Sequence, residues 1–134
     1  MSAKEFSILA VDDEEVMRRF LAEALQALEY PFEVASCAKE CLEKMAGRSF
    51  EAVLLDLVLP DIDGESLMSV LRHQSPQTRI VVISSMDDNE IIQEVLSKGA
   101  VAYLVKPVTF EALQQVLQKL EAESTADPTI PKTA

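Results

Sequence analysis

The segment AVLLDLVLPDIDG, residues 52–64, is the most informative about the fold class because it joins an apolar strand directly to a turn. Ala52 to Leu55 is a continuous apolar run that ends at Asp56. Such a run is typical of a central parallel strand that is covered on both faces. Pro60 to Gly64 is rich in turn-forming residues and predicts a loop. The segment therefore predicts an α/β protein with an acidic residue at the carboxyl end of an interior strand.

The alternation of a short apolar strand with an amphipathic helix extends in both directions from this segment. Each predicted strand is followed by apolar residues at helical spacing, which indicates a helix after every strand. Asp87 or Asp88 is expected to cap the fourth helix, and Thr109 the fifth. The predicted strands are Phe6 to Val11, Phe32 to Ala35, Ala52 to Leu55, Ile80 to Ile83 and Val101 to Val105.

Five strand–helix units predict a flavodoxin-like, doubly wound (βα)5 sandwich with helices on both faces of a parallel sheet. Of the two common doubly wound strand orders, five strands fit the order 2-1-3-4-5. We expect one domain over residues 1–122. The sequence then becomes rich in Thr, Pro and Ala, which predicts a flexible tail or the start of a linker over residues 123–134.

Composition restricts the class of protein. The chain has 134 residues, of which 49% are hydrophobic and 26% charged, as expected for a folded soluble domain. The formal net charge of -11 disfavours direct binding to nucleic acid or to an anionic membrane. We find no secretory signal pattern and no apolar run of about 20 residues, so a cytoplasmic protein is expected.

Polar residues follow the predicted strands where each strand leaves the core. If strands one and three are neighbours, three carboxylates meet at one edge of the sheet. Two carboxylates about 4 Å apart repel by roughly 4 kcal/mol at an effective dielectric constant near 20, so the group requires a cation. Oxygen ligands without nearby histidine or cysteine favour Mg²⁺. The residues at the strand ends are Asp12 and Asp13, then Asp56, then Ser84 and Ser85, and finally Lys106.

These residues, with the segment from Asp56 to Gly64 and the Lys106–Pro107 pair, resemble the response-regulator receiver domain of two-component signalling. The resemblance extends from about Ser7 to Glu121. Each piece is weak alone, and the specificity comes from their order and spacing. The resemblance implies a phosphorelay signalling domain, which is not an enzyme although it assists its own phosphorylation and dephosphorylation.

By this resemblance, Asp56 is the phosphoacceptor and takes its phosphoryl group from a sensor histidine kinase or a phosphotransfer protein. Asp13 and Asp56 bind Mg²⁺ directly, whereas Asp12 acts mainly through water. The backbone carbonyl of Val58 is a further metal ligand.

The resemblance also implies a switch. Lys106 pairs with the phosphoryl oxygens, and Ser84 moves to hydrogen-bond the phosphoryl group. Tyr103 matches the aromatic switch position and turns inward as Ser84 moves. The peptide bond before Pro107 is expected to be cis, which aims Lys106 into the pocket. Output passes to a downstream protein or to a missing C-terminal domain, from a monomer or a phosphorylation-dependent dimer.

Other functions remain open at this point. A phosphorylation-independent receiver that acts as a protein-interaction module is the main alternative. An aspartyl phosphatase would commonly carry a second acid two residues after Asp56, where this chain has Val58. A nucleotide or flavin binder would require a glycine-rich loop after strand one.

Val58 and Met86 are apolar and cannot orient an attacking water, which predicts slow self-dephosphorylation.

Overall fold

Five strands and five helices alternate along residues 5–124, the part of the chain that the computed structural model describes. The strands are β1 (Ile8–Val11), β2 (Phe32–Ala35), β3 (Ala52–Leu55), β4 (Arg79–Ser84) and β5 (Ala102–Val105). The helices are α1 (Glu15–Ala27), α2 (Ala38–Gly47), α3 (Gly64–Gln74), α4 (Asn89–Ser97) and α5 (Phe110–Ser124).

All strands pair in parallel, in the order β2-β1-β3-β4-β5, as predicted. β1 and β3 are neighbours along their full length, with Ile8 opposite Ala52 and Val11 opposite Leu55. The residues that directly follow these two strands, Asp12 and Asp56, are therefore brought to the same edge of the sheet.

The sheet separates two apolar layers because successive side chains of a strand point to opposite faces. Leu9 and Val11 face the layer that holds the buried residues of α2, α3 and α4. Ile8 and Ala10 face the layer that contains α1 and α5. β1 and β3 are buried at every position, which explains why their sequences show no alternation of polar and apolar residues.

The strand bounds differ from the prediction at several ends. β1 begins at Ile8 instead of Phe6, although Phe6 is buried and packs near Tyr30. The apolar character of Phe6 thus reports burial in the core and not pairing in the sheet. β4 is longer than predicted and includes Arg79 and Ser84, and β5 begins at Ala102.

Helix starts follow the predicted capping. The Asp88 carboxylate accepts a hydrogen bond from the Glu90 N–H at 2.8 Å, and the Thr109 hydroxyl accepts one from the Ala112 N–H at 3.0 Å. Of the tail predicted for residues 123–134, the first two residues belong to α5, and residues 125–134 lie outside the described residues. Between residues 5 and 124, no helix has the length and apolar character needed to cross a membrane.

Candidate functional site

Three aspartates meet at the carboxyl ends of β1 and β3. Asp12, Asp13 and Asp56 each offer a carboxylate oxygen, and these atoms all lie within 4.8 Å of one another. Asp12 is 1% exposed and Asp56 is 4% exposed, whereas Asp13 is open to solvent. The crevice therefore has two acids in its floor and one at its rim.

Lys106, directly after β5, extends its ammonium group into this cluster. Its Nζ lies 2.9 Å from Oδ2 of Asp12 and 3.2 Å from Oδ2 of Asp56. A third contact, at 3.3 Å, reaches Oε1 of Glu14. The peptide bond between Lys106 and Pro107 is cis, as predicted.

The two buried carboxylates are oriented by backbone donors. The Glu14 N–H donates to Oδ1 of Asp12 at 2.9 Å, and the Val58 N–H donates to Oδ1 of Asp56 at 3.1 Å. In each case the other oxygen, Oδ2, faces Lys106. One oxygen of each carboxylate is thus held by the fold, while the other faces a cation.

The environment raises the pKa values of both Asp12 and Lys106. The rise disfavours the charged form of Asp12 and favours the charged form of Lys106. Burial raises the pKa of Asp12, opposed by the hydrogen bonds from the Glu14 N–H and from Lys106. Burial disfavours the charged form of Lys106, but its ion pairs with Asp12 and Asp56 outweigh that effect and raise its pKa. Lys106 is therefore a cation at neutral pH, and Asp12 holds a proton more readily than an exposed aspartate.

The three aspartates fit a hard cation. They offer oxygen atoms alone, which is the donor set that Mg²⁺ prefers, and Mg²⁺ is usually held by one or two carboxylates with waters completing the shell. An ion there would relieve the repulsion that Lys106 only partly offsets. The backbone carbonyl of Val58 as a ligand stays a prediction.

Two of the residues predicted to form the switch, Ser84 and Tyr103, lie on the neighbouring strands β4 and β5. Ser84 is fully buried at the end of β4, and its Oγ accepts a hydrogen bond from the Met86 N–H at 3.1 Å. Tyr103 is half-buried on β5, and its hydroxyl donates to the Met86 carbonyl at 2.7 Å. The Lys106 N–H donates to the Ser84 carbonyl at 2.8 Å, so the ends of β4 and β5 are joined. The switching movement itself stays a prediction.

Sequence reasoning missed two residues of the site. Glu14 contributes both a carboxylate near Lys106 and the N–H that orients Asp12. Arg18, one turn into α1, donates from its guanidinium to the Asp12 carbonyl at 2.8 Å. Glu14 could have been suspected because it extends the acidic run after β1. Arg18 gave no sequence signal beyond its distance of six residues from Asp12.

Comparison with known proteins agrees with this geometry. A family model described as "Response regulator receiver domain" matches residues 8–118, which include every element from β1 to most of α5. This chain belongs to the response-regulator receiver domain family. Receiver domains are signalling modules of two-component systems, and the matched range contains all three clustered aspartates and Lys106.

The receiver's relatives include longer proteins. The transcriptional regulatory protein ZraR of Escherichia coli O157:H7 is 28% identical over 124 residues, which cover 92% of this chain and 28% of ZraR. The response regulator ArlR of Staphylococcus saprophyticus is 34% identical over 106 residues, covering 79% of this chain and 48% of ArlR. The chain thus spans less than half of either relative.

A solved structure shows the same fold. The CheY-like receiver domain protein from Methanospirillum hungatei JF-1 is 27% identical and superposes with a TM-score of 0.83, covering 92% of this chain and 100% of that one. The flavodoxin-like fold predicted from the sequence is therefore confirmed.

Proposed function

We propose that this receiver accepts a phosphoryl group on Asp56 in a Mg²⁺-dependent reaction, with the phosphohistidine of a sensor histidine kinase or a phosphotransfer protein as donor. The observation that carries the proposal is the setting of Asp56. Asp56 is 4% exposed, and its carboxylate is held by the Val58 N–H through one oxygen and faces the Lys106 ammonium through the other. A positioned carboxylate beside a fixed cation is suited to attack phosphorus.

The covalent step exchanges one bond to phosphorus for another. An oxygen of Asp56 attacks the phosphorus atom while the bond from phosphorus to the imidazole nitrogen breaks. The electron pair of that bond stays on the nitrogen, which takes up a proton. Mg²⁺, when bound, neutralises negative charge on the phosphoryl oxygens.

The remaining residues position groups and balance charge. Asp12, Asp13, Asp56 and the carbonyl of Val58 would hold the metal. Lys106 would leave its contacts with Asp12 and Asp56 and form an ion pair with a phosphoryl oxygen. This exchange of partners turns the arrival of a phosphoryl group into a movement of the residue that follows β5.

The switch would use the bonds around Met86. Ser84 accepts the Met86 N–H, and its hydroxyl proton would be donated to a phosphoryl oxygen. Movement of Ser84 would disturb the segment whose carbonyl accepts the Tyr103 hydroxyl, and Tyr103 would then turn inward. The signal would pass from there to a downstream protein or to an output domain in a longer protein, with or without dimer formation.

The test is the intact mass of the metal-free protein after incubation with acetyl phosphate and Mg²⁺. The wild type should gain one phosphoryl mass, and it should gain none when a chelator replaces Mg²⁺. Asp56→Ala should gain none. Asp63→Ala, a matched aspartate of the same loop that caps α3, should be modified like the wild type.

If neither the wild type nor Asp63→Ala gains mass although both bind Mg²⁺, a cognate histidine kinase is the remaining donor to try. Failure with the kinase as well would reject phosphorylation and favour a phosphorylation-independent interaction module.

Slow loss of the phosphoryl group is part of the proposal. Val58 is 53% exposed and Met86 is 37% exposed, and both lie in the loops that follow Asp56 and Ser84. Val58 has no group that can hydrogen-bond an attacking water, and the thioether of Met86 is only a weak acceptor. Val58→Asn combined with Met86→Gln should shorten the lifetime of the phosphorylated protein, and an unchanged lifetime would reject this account.

A further inference from the structure

Helix α2 begins with a weak local cap. The residue before Ala38 is Cys37, whose Sγ lies 3.5 Å from the Glu40 N–H. A thiol sulfur is a weak acceptor, and helices prefer Ser, Thr, Asp or Asn at this position. The first N–H groups of the helix therefore need an acceptor from elsewhere.

Asp61 supplies that acceptor from a distant part of the chain. Its Oδ1 accepts the Ala38 N–H at 3.0 Å, and its Oδ2 accepts the Lys39 N–H at 2.9 Å. These two hydrogen bonds lower the pKa of Asp61, as expected for a carboxylate at the positive end of a helix. The separation of 22 to 23 residues makes this a cap between two separate elements of the fold.

Asp61 lies in the middle of the loop that joins β3 to α3. The start of this loop is fixed by the bond from the Val58 N–H to Asp56. Its end is fixed by the Gly64 N–H, which donates to the Leu57 carbonyl at 2.8 Å. A side chain at Gly64 would overlap the Leu57 backbone, so the close approach of α3 to this loop requires glycine.

Helix α2, to which Asp61 of the β3–α3 loop is bonded, is itself packed in the core. Ala38 and Cys41 are 2% and 0% exposed and belong to the same apolar layer as Val11 and Leu55, the last residues of β1 and β3. The bonds to Asp61 therefore connect the loop to the core that also supports Asp12 and Asp56.

We propose that Asp61 is a positioning residue for the Mg²⁺ site. By capping α2, it holds the loop that carries Val58 in one position relative to Asp12 and Asp56. This inference rests on the proposed Mg²⁺-dependent function and adds a residue that contacts neither the metal nor the phosphoryl group. Residues that orient metal ligands commonly contribute about tenfold or more to metal affinity.

The experiment measures Mg²⁺ affinity by isothermal titration calorimetry of the metal-free protein. Asp61→Ala should bind Mg²⁺ about tenfold more weakly than the wild type. Asp61→Asn, which keeps one acceptor oxygen, should lie between the two. If Asp61→Ala does not fold, the comparison of Asp61→Asn with the wild type provides the test.

Asp63→Ala is the matched control. Asp63 lies in the same loop, carries the same charge, and accepts two hydrogen bonds from Ser66 at the start of α3, both at 2.8 Å. This variant loses a helix cap and a negative charge near the site, but leaves α2 capped. Its Mg²⁺ affinity should stay close to that of the wild type.

Amide hydrogen exchange supplies a second measurement that needs no metal. The amides of Ala38 and Lys39 should exchange faster in Asp61→Ala than in Asp63→Ala. Equal Mg²⁺ affinities of the wild type and Asp61→Ala would overturn the inference. So would an equal loss in the two alanine variants, because that result would reflect charge alone. A wild type that binds no Mg²⁺ would overturn the Mg²⁺-dependent function, and this inference with it.

Discussion

At the amino ends of the strands, the buried polar residues Ser7 and Thr78 are neutral, whereas at the carboxyl ends two acids, Asp12 and Asp56, are buried together with the neutral Ser84. The Thr78 hydroxyl donates to the Phe50 carbonyl at 2.8 Å, just before β4. At the opposite edge, the buried Asp12 and Asp56 share one ammonium group. The same sheet thus has one edge whose polar groups stabilise the fold and another where acidic groups cluster around one lysine.

The difference follows from what each edge must do. A hydrogen bond between neutral groups satisfies both partners and leaves little to gain from a ligand. Clustered carboxylates repel one another, and this repulsion favours the binding of a positive charge among them. Substitutions at the two edges should therefore differ in their response to Mg²⁺, and removal of a carboxylate charge from the cluster should stabilise the metal-free protein.

Lys106→Met should have the largest effect. Removal of the ammonium leaves two buried carboxylates without a counter-ion and should lower the free energy of unfolding of the metal-free protein by about 3 kcal/mol. Added Mg²⁺ should recover part of this loss. Urea denaturation with and without Mg²⁺ measures both quantities.

The matched control for Lys106→Met is Lys44→Met, which removes the ion pair with Glu33, where both side chains are about one third exposed. Lys44→Met should lower the free energy of unfolding by less than about 1 kcal/mol, and added Mg²⁺ should not change this loss. Equal losses in the two variants would contradict the proposed role of charge at the carboxyl edge.

Thr78→Val should have the next largest effect, at the other edge. The change keeps the shape of the side chain but leaves the buried Phe50 carbonyl without its hydroxyl donor, which should cost about 1–2 kcal/mol. The same urea series measures it. Mg²⁺ affinity should be unchanged, and a change would show that the two edges are coupled.

Alkaline pH should lower the stability of the protein through Tyr30, which lies near the amino ends of the strands. Burial, and then the hydrogen bond that its hydroxyl donates to Glu121, raise the pKa of Tyr30 above its usual value of about 10. Above that pH the unfolded chain releases the phenol proton while the folded chain keeps it. The free energy of unfolding should therefore fall as pH rises from about 10, by up to roughly 1.4 kcal/mol per unit.

Urea denaturation at pH 8 to 11 tests this pH dependence, with Tyr30→Phe as the control. The variant should lack the part of the slope that comes from Tyr30. Identical slopes in the two proteins would contradict the assignment.

Asp13→Asn should have the smallest effect on stability, and unlike the other variants it should stabilise the metal-free protein. Asp13 is exposed and close to two other carboxylates, so loss of its charge relieves repulsion. The melting temperature of the metal-free protein should rise by about 2 °C, while Mg²⁺ affinity falls. Asp87→Asn, an exposed acid in the loop after β4, should lower Mg²⁺ affinity much less. A fall in the melting temperature of Asp13→Asn would argue against repulsion in the cluster.

Most of the fold could be predicted because it follows from local patterns. The interior strands are apolar at every position, and residues that end such strands are polar where the chain leaves the core. The family resemblance then assigned each of these residues a role. Strand ends were less predictable, since Phe6 is as apolar as Ile8 but is buried outside the sheet.

The fold class and the acids of the cluster could be predicted from the chain alone, because periodicity and strand ends are properties of neighbouring residues. The strand order could be predicted because five strands fit one of the two common doubly wound orders. In contrast, the oxygen of Asp56 that faces Lys106 and the capping of α2 by Asp61 are evident only in the folded protein. These contacts join residues that lie 22 to 50 positions apart. They depend on how the layers pack against the sheet, and no local pattern in the chain encodes that packing.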